Sequence, residues 1–400
     1  VASRGARIGE PRVARIVERV LESCDPAEAT RRALVARDLR GPVSILAFGK
    51  CAAPMMRGAL GALSPEDALV VTVAGEHADL VARGVTVRIG RHPEPAPDAA
   101  AHGEEALAFA ARTRGTLIVL ISGGGSALLE LPAPGVSIGT IADIARALMH
   151  RGAPIDELNL VRAALSSIKG GHLAAATRAR VWSLVVEDVP GRPELVASGP
   201  TMPPPRGDAK AVLARYGVRT DAAIEGALAR APAPWAGGDL EAIVTNDHAR
   251  QGALAALREL GFEAHDLGAS LKGEARVAGA ALARELAGRG TGLVLGGEPT
   301  VTVKGRGRGG RNQELVLGAY LERAAGLVLS LGTDGVDGAS DHAGAWLTPD
   351  DWRRGHVMGL DARQALAEND SARFFELLGT AICTGPTGVN VADVVCVLPI

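Results

Sequence analysis

The chain has 400 residues, a length that suggests about two to three domains rather than one core. It carries 43 basic and 45 acidic side chains for a formal charge of −2, and only 3% aromatic residues. That balance excludes a basic field for nucleic-acid phosphates, acidic disorder and a platform for stacking bases. Only five of the basic residues are lysines: Lys50, Lys169, Lys210, Lys272 and Lys304. Against such a preference for arginine each lysine is worth inspection, because a guanidinium cannot replace a compact ammonium at a tight site. The four cysteines, Cys24, Cys51, Cys383 and Cys396, form no CxxC pair and are expected to be reduced thiols. No run of about 18 apolar residues is present, and the opening VASRGARIGE has no apolar leader core, so a cytoplasmic location is expected. The first residue is Val1, so the start is expected to be processed or trimmed.

Short apolar runs alternate with helical patterns along the whole chain. Runs at 44–47, 68–73, 117–121 and 181–186 are β-branched and bounded by turn residues, as buried strands are. A second set follows at 242–244, 293–295, 301–303, 327–331, 381–383 and 394–398. Helical periodicity covers 13–21, 27–36, 98–111, 141–150, 249–260, 275–287 and 313–324. The alternation predicts an α/β architecture with mostly parallel strands. The Pro- and Gly-rich stretch APAPWAGGD at 231–239 is the best internal boundary, giving domains 1–235 and 236–400. No period of about 20–50 residues suggests a solenoid.

In such sheets ligands bind beyond the carboxyl ends of the strands, where this chain repeatedly places glycine and polar residues. The first cluster is Phe48-Gly49-Lys50-Cys51, a strand end followed by a small-residue helix, where Lys50 can offer a point charge to an anion. It is not a Walker A motif, and a plain turn with a solvated lysine is the alternative. The second, Ser122-Gly123-Gly124-Gly125-Ser126, resembles a phosphate-cradling nest, or is merely a flexible loop. Its Ser126 does not complete a GxSxG elbow. Asn159, Arg162, Ser166 and Lys169 recur every three or four residues and would share one helix face, as a binding stripe or a solvated one. Glu187-Asp188-Val189-Pro190-Gly191 puts acids at a strand end, able to hold a metal or orient a hydroxyl. Asn246 and Asp247 stand at the end of the predicted strand 242–244.

Glu298-Pro299-Thr300 precedes Lys304-Gly305-Arg306-Gly307-Arg308-Gly309-Gly310-Arg311-Asn312. Gly305, Gly307 and Gly310 match GxGxxG, but not in a first βα turn with an acid about 20 residues on, so the match is read as a decoy. The arginines there suit planar recognition of phosphate or carboxylate, with Arg311 opening a helix. Asp334 and Asp337, in Gly332-Thr333-Asp334-Gly335-Val336-Asp337-Gly338, are placed as Mg²⁺-binding acids often are.

Taken together, these segments resemble the class II glycerate 2-kinases, whose C-terminal half is called MOFRL and whose members are sometimes named hydroxypyruvate reductases. The resemblance runs from Phe48-Gly49-Lys50 to Thr384-Gly385-Pro386-Thr387-Gly388. It includes His92-Pro93-Glu94-Pro95, Leu165-Ser166-Ser167-Ile168-Lys169-Gly170-Gly171 and Ala197-Ser198-Gly199-Pro200-Thr201. It implies two α/β domains, an N-terminal Rossmann-like αβα sandwich and a C-terminal MOFRL-type domain, with the active site in the cleft between them. It also implies ATP-dependent phosphorylation of D-glycerate at its 2-hydroxyl, with Mg²⁺. The family's active-site lysine and arginine fall on Lys50 and Arg311.

The catalytic set is therefore expected to be Lys50, Arg311 and Asp188. The binding set is Ser122, Gly123, Gly124, Gly125, Ser126, Asn159, Arg162, Lys169, Asn246, Asp247, Glu298, Thr300 and Asn312, and the metal set is Asp188, Asp334 and Asp337. Small-molecule partners, a monomer or homodimer, and neither nucleic acid nor membrane complete the expectation. Two departures stand out. The family's Ser-Asp-Val-Pro-Gly-Asp reads Glu187-Asp188-Val189-Pro190-Gly191-Arg192 here, and its Thr-Gly-Thr-Asn reads Thr387-Gly388-Val389-Asn390. The rival readings are an NAD(P)-dependent hydroxypyruvate reductase and a sugar-acid binding protein without turnover.

Overall fold

The computed structural model describes residues 10–235, 237–286 and 290–399. The opening residues 1–9, read above as carrying no apolar leader, and Ala287, the end of a predicted helix, lie outside them. The chain forms two compact units. One is Pro26–Ile243; the other joins the first helix, through Asp25, to the chain from Val244 onward.

The Pro26–Ile243 unit is organised by strands β1 (Val43–Phe48), β2 (Asp67–Thr72), β3 (Thr86–Ile89), β4 (Thr116–Ile121), β5 (Arg180–Val186) and β6 (Asp239–Val244). Their order is β3-β2-β1-β4-β5-β6, the doubly-wound order of Rossmann folds. β1 pairs in parallel with both β2 and β4. The outer pairs β2–β3 and β4–β5 are parallel too. All six residues of β1 and of β4 are buried, which explains why these strands read as continuous apolar runs. Leu46, Phe48, Val119 and Ile121 join Phe109 of the helix Asp98–Arg112 in one core. The strand order reverses between β1 and β4, so the crevice beyond their carboxyl ends is the topological switch point.

The other unit holds β7 (Ala264–Asp266), β8 (Gly292–Gly297), β9 (Gly326–Gly332), β10 (Gly344–Leu347), β11 (Ala381–Ile382) and β12 (Asp393–Pro399). The order is β11-β10-β9-β12-β8-β7. This sheet is mixed: β7 and β8 run parallel, while β12 runs antiparallel to both β8 and β9. β10 is antiparallel to β9 and to β11. The last strand inserts between two parallel neighbours, an arrangement that strand–helix alternation cannot announce.

Three sequence expectations change. The boundary expected at 235/236 falls at 243/244, because 239–244 completes the first sheet as β6. The helix Pro11–Ser23 leaves the N-terminal unit altogether. It buries Val13, Ile16, Val17 and Val20, and Arg15 and Arg19 reach Glu259 on the helix Asn246–Glu259 at 2.7 and 2.5 Å. Finally, 301–303 is not a strand. Thr302 turns its N–H and hydroxyl to the Glu274 carboxylate, and Val303 is exposed. Strands β3, β7 and β10 escaped detection because they are three or four residues long, too short for a period to develop.

Candidate active site

At the switch point two loops are fastened to each other. The Lys50 N–H donates to the Gly123 carbonyl at 2.9 Å, and the Cys51 N–H donates to Ser122 Oγ at 2.9 Å. Gly49, at φ +120°, has no room for a side chain, since a Cβ would stand 2.3 Å from Ser122 Oγ. The approach leaves the Gly123 and Gly124 N–H groups without an acceptor among the described residues, an anion-binding geometry. Gly124 is left-handed (φ 82°), and a Cβ there would lie 2.9 Å from Lys50 Cγ, so the lysine stem crosses directly over the nest. The half-buried Lys50 ammonium has no hydrogen bond or ion pair among the described residues. Beside it, burial and then the Lys50 charge hold the His92 imidazole below its ordinary pKa. Asp188, just past β5, presses its carboxylate against Gly123; a Cβ on that glycine would come 2.4 Å from Asp188 Oδ2.

The expected polar stripe divides. The helix Ile155–Ala164 carries Asn159 and Arg162, whereas Ser166 and Lys169 lie beyond its end. Asn159 Oδ1 accepts from Ser198 Oγ at 2.8 Å, and Ser198 Oγ meets Ser126 Oγ at 3.0 Å, which ties the helix to the nest. Lys169, expected among the binding residues, is engaged within the frame of its own unit. It is 1% exposed, pairs with the fully buried Glu130, and donates to the Ser126 carbonyl at 3.0 Å. Burial pulls the Lys169 pKa down, opposed by Glu130.

The other unit gathers its polar residues where β8 and β9 end and β12 begins. Arg311 opens the helix Arg311–Leu321 and clamps the Asp393 carboxylate with Nε at 2.5 Å and Nη2 at 3.0 Å. Its Nη1 lies 3.1 Å from Glu298. Burial works against charge on Arg311, but the surrounding carboxylates of Asp393, Glu298 and Asp337 outweigh it and keep the guanidinium protonated. Four expected residues are occupied within their own unit. Asn312 Nδ2 donates to Asp337 and Asp393 while its Oδ1 accepts from Ser330. Asn246 donates to the carbonyls of Val391 and Asp393 and accepts from Arg250. Thr300 donates to the Gly273 carbonyl through both its N–H and its hydroxyl. Exposed Asp247 pairs with Arg250 at 2.7 Å.

Asp337, expected among the metal ligands, caps a helix. It is 1% exposed and takes the N–H groups of Asn312 and Gln313 at 3.0 and 2.9 Å, those at the start of their helix. Burial pushes its carboxyl up to about 7 despite these donors. Asp334 is half-buried, with one oxygen accepting from the Val336 N–H at 3.1 Å. No group of three or more His, Cys, Asp or Glu side chains able to hold a metal occurs among the described residues. One or two carboxylates suffice for a Mg²⁺ that arrives on nucleotide phosphates, and Asp188 and Asp334 are of the right chemistry.

Family models match both parts of the chain: a domain of unknown function (DUF4147) over residues 12–229 and the MOFRL family over 291–393. The D-glycerate 2-kinase of Thermotoga maritima is 35% identical, with 95% of this chain and 96% of the relative covered. The chain belongs to the class II glycerate 2-kinase family. An Agrobacterium vitis relative, provisionally named a hydroxypyruvate reductase, is 36% identical over 96% of this chain and 93% of its own. The crystal structure of Thermotoga maritima glycerate kinase superposes with a TM-score of 0.88 at 33% identity, covering 96% of this chain and 98% of that one.

Within this glycerate 2-kinase fold the GxGxxG match is indeed a decoy. The N–H groups of Lys304 and Gly305 donate to Asn369, that of Gly307 to the Glu368 carbonyl, and that of Arg308 to Asp370. The loop binds its own chain and has little left for a pyrophosphate. The two departures in the Asp188 segment form a local staple: Glu187 accepts the Arg192 N–H at 2.9 Å, and Arg192 pairs outward with Asp156 and Glu194. Burial raises the Glu187 pKa. Asp393 and Glu130 were missed by sequence reasoning. Each is a lone acid in an apolar stretch, Ala392-Asp393-Val394 and Leu129-Glu130-Leu131, and that isolation was the available signal.

Proposed function

We propose that the chain phosphorylates the 2-hydroxyl of D-glycerate, or of a closely related small hydroxy acid, with ATP and Mg²⁺, and that it does so in the cytoplasm. The observation that carries this reading is the switch point: an unpaired, half-buried ammonium over two N–H groups that lack acceptors. Such a site is incomplete without an anion. Phosphoryl transfer needs positioning and charge stabilisation more than covalent chemistry. Lys50 meets the equatorial oxygens of the transferred phosphoryl group, and the Gly123–Ser126 nest cradles them. Asp188 accepts the hydrogen bond of the acceptor hydroxyl and takes its proton as the new O–P bond forms and ADP leaves with the electron pair of the broken bond. In the other unit Arg311, held in orientation by Asp393, is able to exchange exposed Glu298 for an anionic oxygen of a ligand. A Mg²⁺ arriving with the nucleotide would be held by a carboxylate such as Asp188 or Asp334 and would supply neutralisation of phosphate charge.

The test is a coupled ADP-release screen over small hydroxy acids, with the phosphorylated position read by phosphorus NMR. ADP release with D-glycerate and a 2-phosphate product is expected. Consumption of NADH by hydroxypyruvate, or binding of glycerate and nucleotide without ADP release, would overturn it.

A further inference from the structure

Arg162 is anomalous among the arginines. Every other described arginine is either exposed or held by a hydrogen bond or ion pair; Arg162 is half-buried and has neither. It sits three residues after Asn159 on the helix Ile155–Ala164, on the face that reaches Ser198 and, through it, Ser126 of the nest. Glu130 and Lys169, underneath Ser126, both act on it electrostatically. Yet Glu130 is already taken: one oxygen accepts from Ser166 Oγ at 2.6 Å and the Leu131 N–H at 3.0 Å, and the other pairs with Lys169. Two cations therefore share one carboxylate in the interior. Excess buried charge is costly until a counter-ion arrives. What is missing is one anion, and the group waiting for it is a planar fork that matches a carboxylate in two-point contact.

We propose that Arg162 binds the carboxylate of the acceptor and so restricts the site to hydroxy acids, against neutral polyols of the same size. This rests on the phosphotransfer reading and assigns the two half-buried cations that lack a partner among the described residues of the unit to different anions: Lys50 to the phosphoryl group, Arg162 to the acceptor. The Ser126–Ser198–Asn159 chain beside Arg162 supplies hydroxyl and amide partners for the rest of a small polyhydroxy acid.

The experiment compares wild type, Arg162→Gln and Arg162→Lys in steady-state kinetics and in calorimetric binding of D-glycerate without nucleotide. Loss of a charge-assisted contact should raise KM and Kd for glycerate on the order of 10- to 100-fold in Arg162→Gln. Arg162→Lys, which keeps the charge but not the fork, should fall between. The KM for ATP should stay within about twofold, and the preference for glycerate over glycerol should shrink with the loss of the guanidinium. A rise in the ATP KM instead, or unchanged glycerate binding in both variants, overturns the assignment. If wild type binds glycerate through Arg162 but releases no ADP, the phosphotransfer reading fails and the carboxylate site stands. If wild type does not bind glycerate at all, both fail.

Discussion

Two sets of half-buried cations, one in each unit, are held in opposite states. Lys50 at the switch point of the first sheet and Arg162 on the helix Ile155–Ala164 are half-buried and have no hydrogen bond or ion pair among the described residues. In the unit containing β12, Arg311 is gripped by Asp393 and flanked by Glu298, and Asp337 is closed over backbone N–H groups. A fold that needs only stability pairs its buried charges, as the second unit does. Charges left unpaired beside donors without acceptors are the mark of a place completed by a ligand. Lys169 shows the same contrast within one unit: it is buried more deeply than Lys50, but its pairing with Glu130 makes it part of the frame.

That contrast can be broken experimentally. Lys50→Ala should lower kcat on the order of 10³-fold in the ADP-release assay, by analogy with the loss of an arginine finger, while the thermal midpoint barely moves. The paired residues should behave the other way. Lys169→Met leaves the buried Glu130 without its partner and should cost about 3–5 kcal/mol in urea unfolding, whereas Glu130→Leu combined with Lys169→Met should recover much of the loss. If Lys50→Ala unfolds the protein and Lys169→Met does not, the contrast is wrong.

Gly123→Ala tests the nest itself. Its Cβ would meet Asp188 Oδ2 at 2.4 Å, so the carboxylate must shift. A displacement of that size should lower kcat/KM by about 10²-fold, with circular dichroism unchanged. Asp337 offers a pH test of the closed cluster. Its folded value of about 7 lies above the ordinary 3.8, so its contribution to stability is present at low pH and lost as pH rises through the folded value. The stability of wild type relative to Asp337→Asn should therefore fall between about pH 4 and about pH 7 and level off above that, read from denaturation midpoints. The smallest effect is expected at Arg192, whose partners Asp156 and Glu194 are both exposed. Arg192→Ala should change stability by at most ~1 kcal/mol and leave the glycerate KM in place, which would confirm that this departure is a surface staple.

Much of the fold was legible beforehand, and for identifiable reasons. β1 and β4 are buried on both faces, so their apolar runs are unbroken, and the glycines that follow them mark the places where two loops must touch. Lys50 was visible because lysine is scarce here. Lys169 was visible for the same reason, but scarcity reports constraint and not whether the constraint comes from a ligand or from a buried acid such as Glu130. The stripe through Asn159, Arg162, Ser166 and Lys169 failed as a single helix face because the helix stops at Ala164, and Gly170 and Gly171 both take positive φ.

By itself the sequence determined the α/β class, the strand-end glycine loops and the likeness of the whole chain to glycerate 2-kinases. Those properties are written in neighbouring residues, through side-chain period, turn chemistry and motif order. Only the tertiary structure decided which charges are satisfied. Lys169 meets Glu130 across 39 positions and Arg311 meets Asp393 across 82, separations at which no local pattern carries information. The same folding that neutralises those two cations leaves Lys50 and Arg162 without a partner, and it is this difference in pairing that distinguishes the residues that hold the site from those that await its ligands.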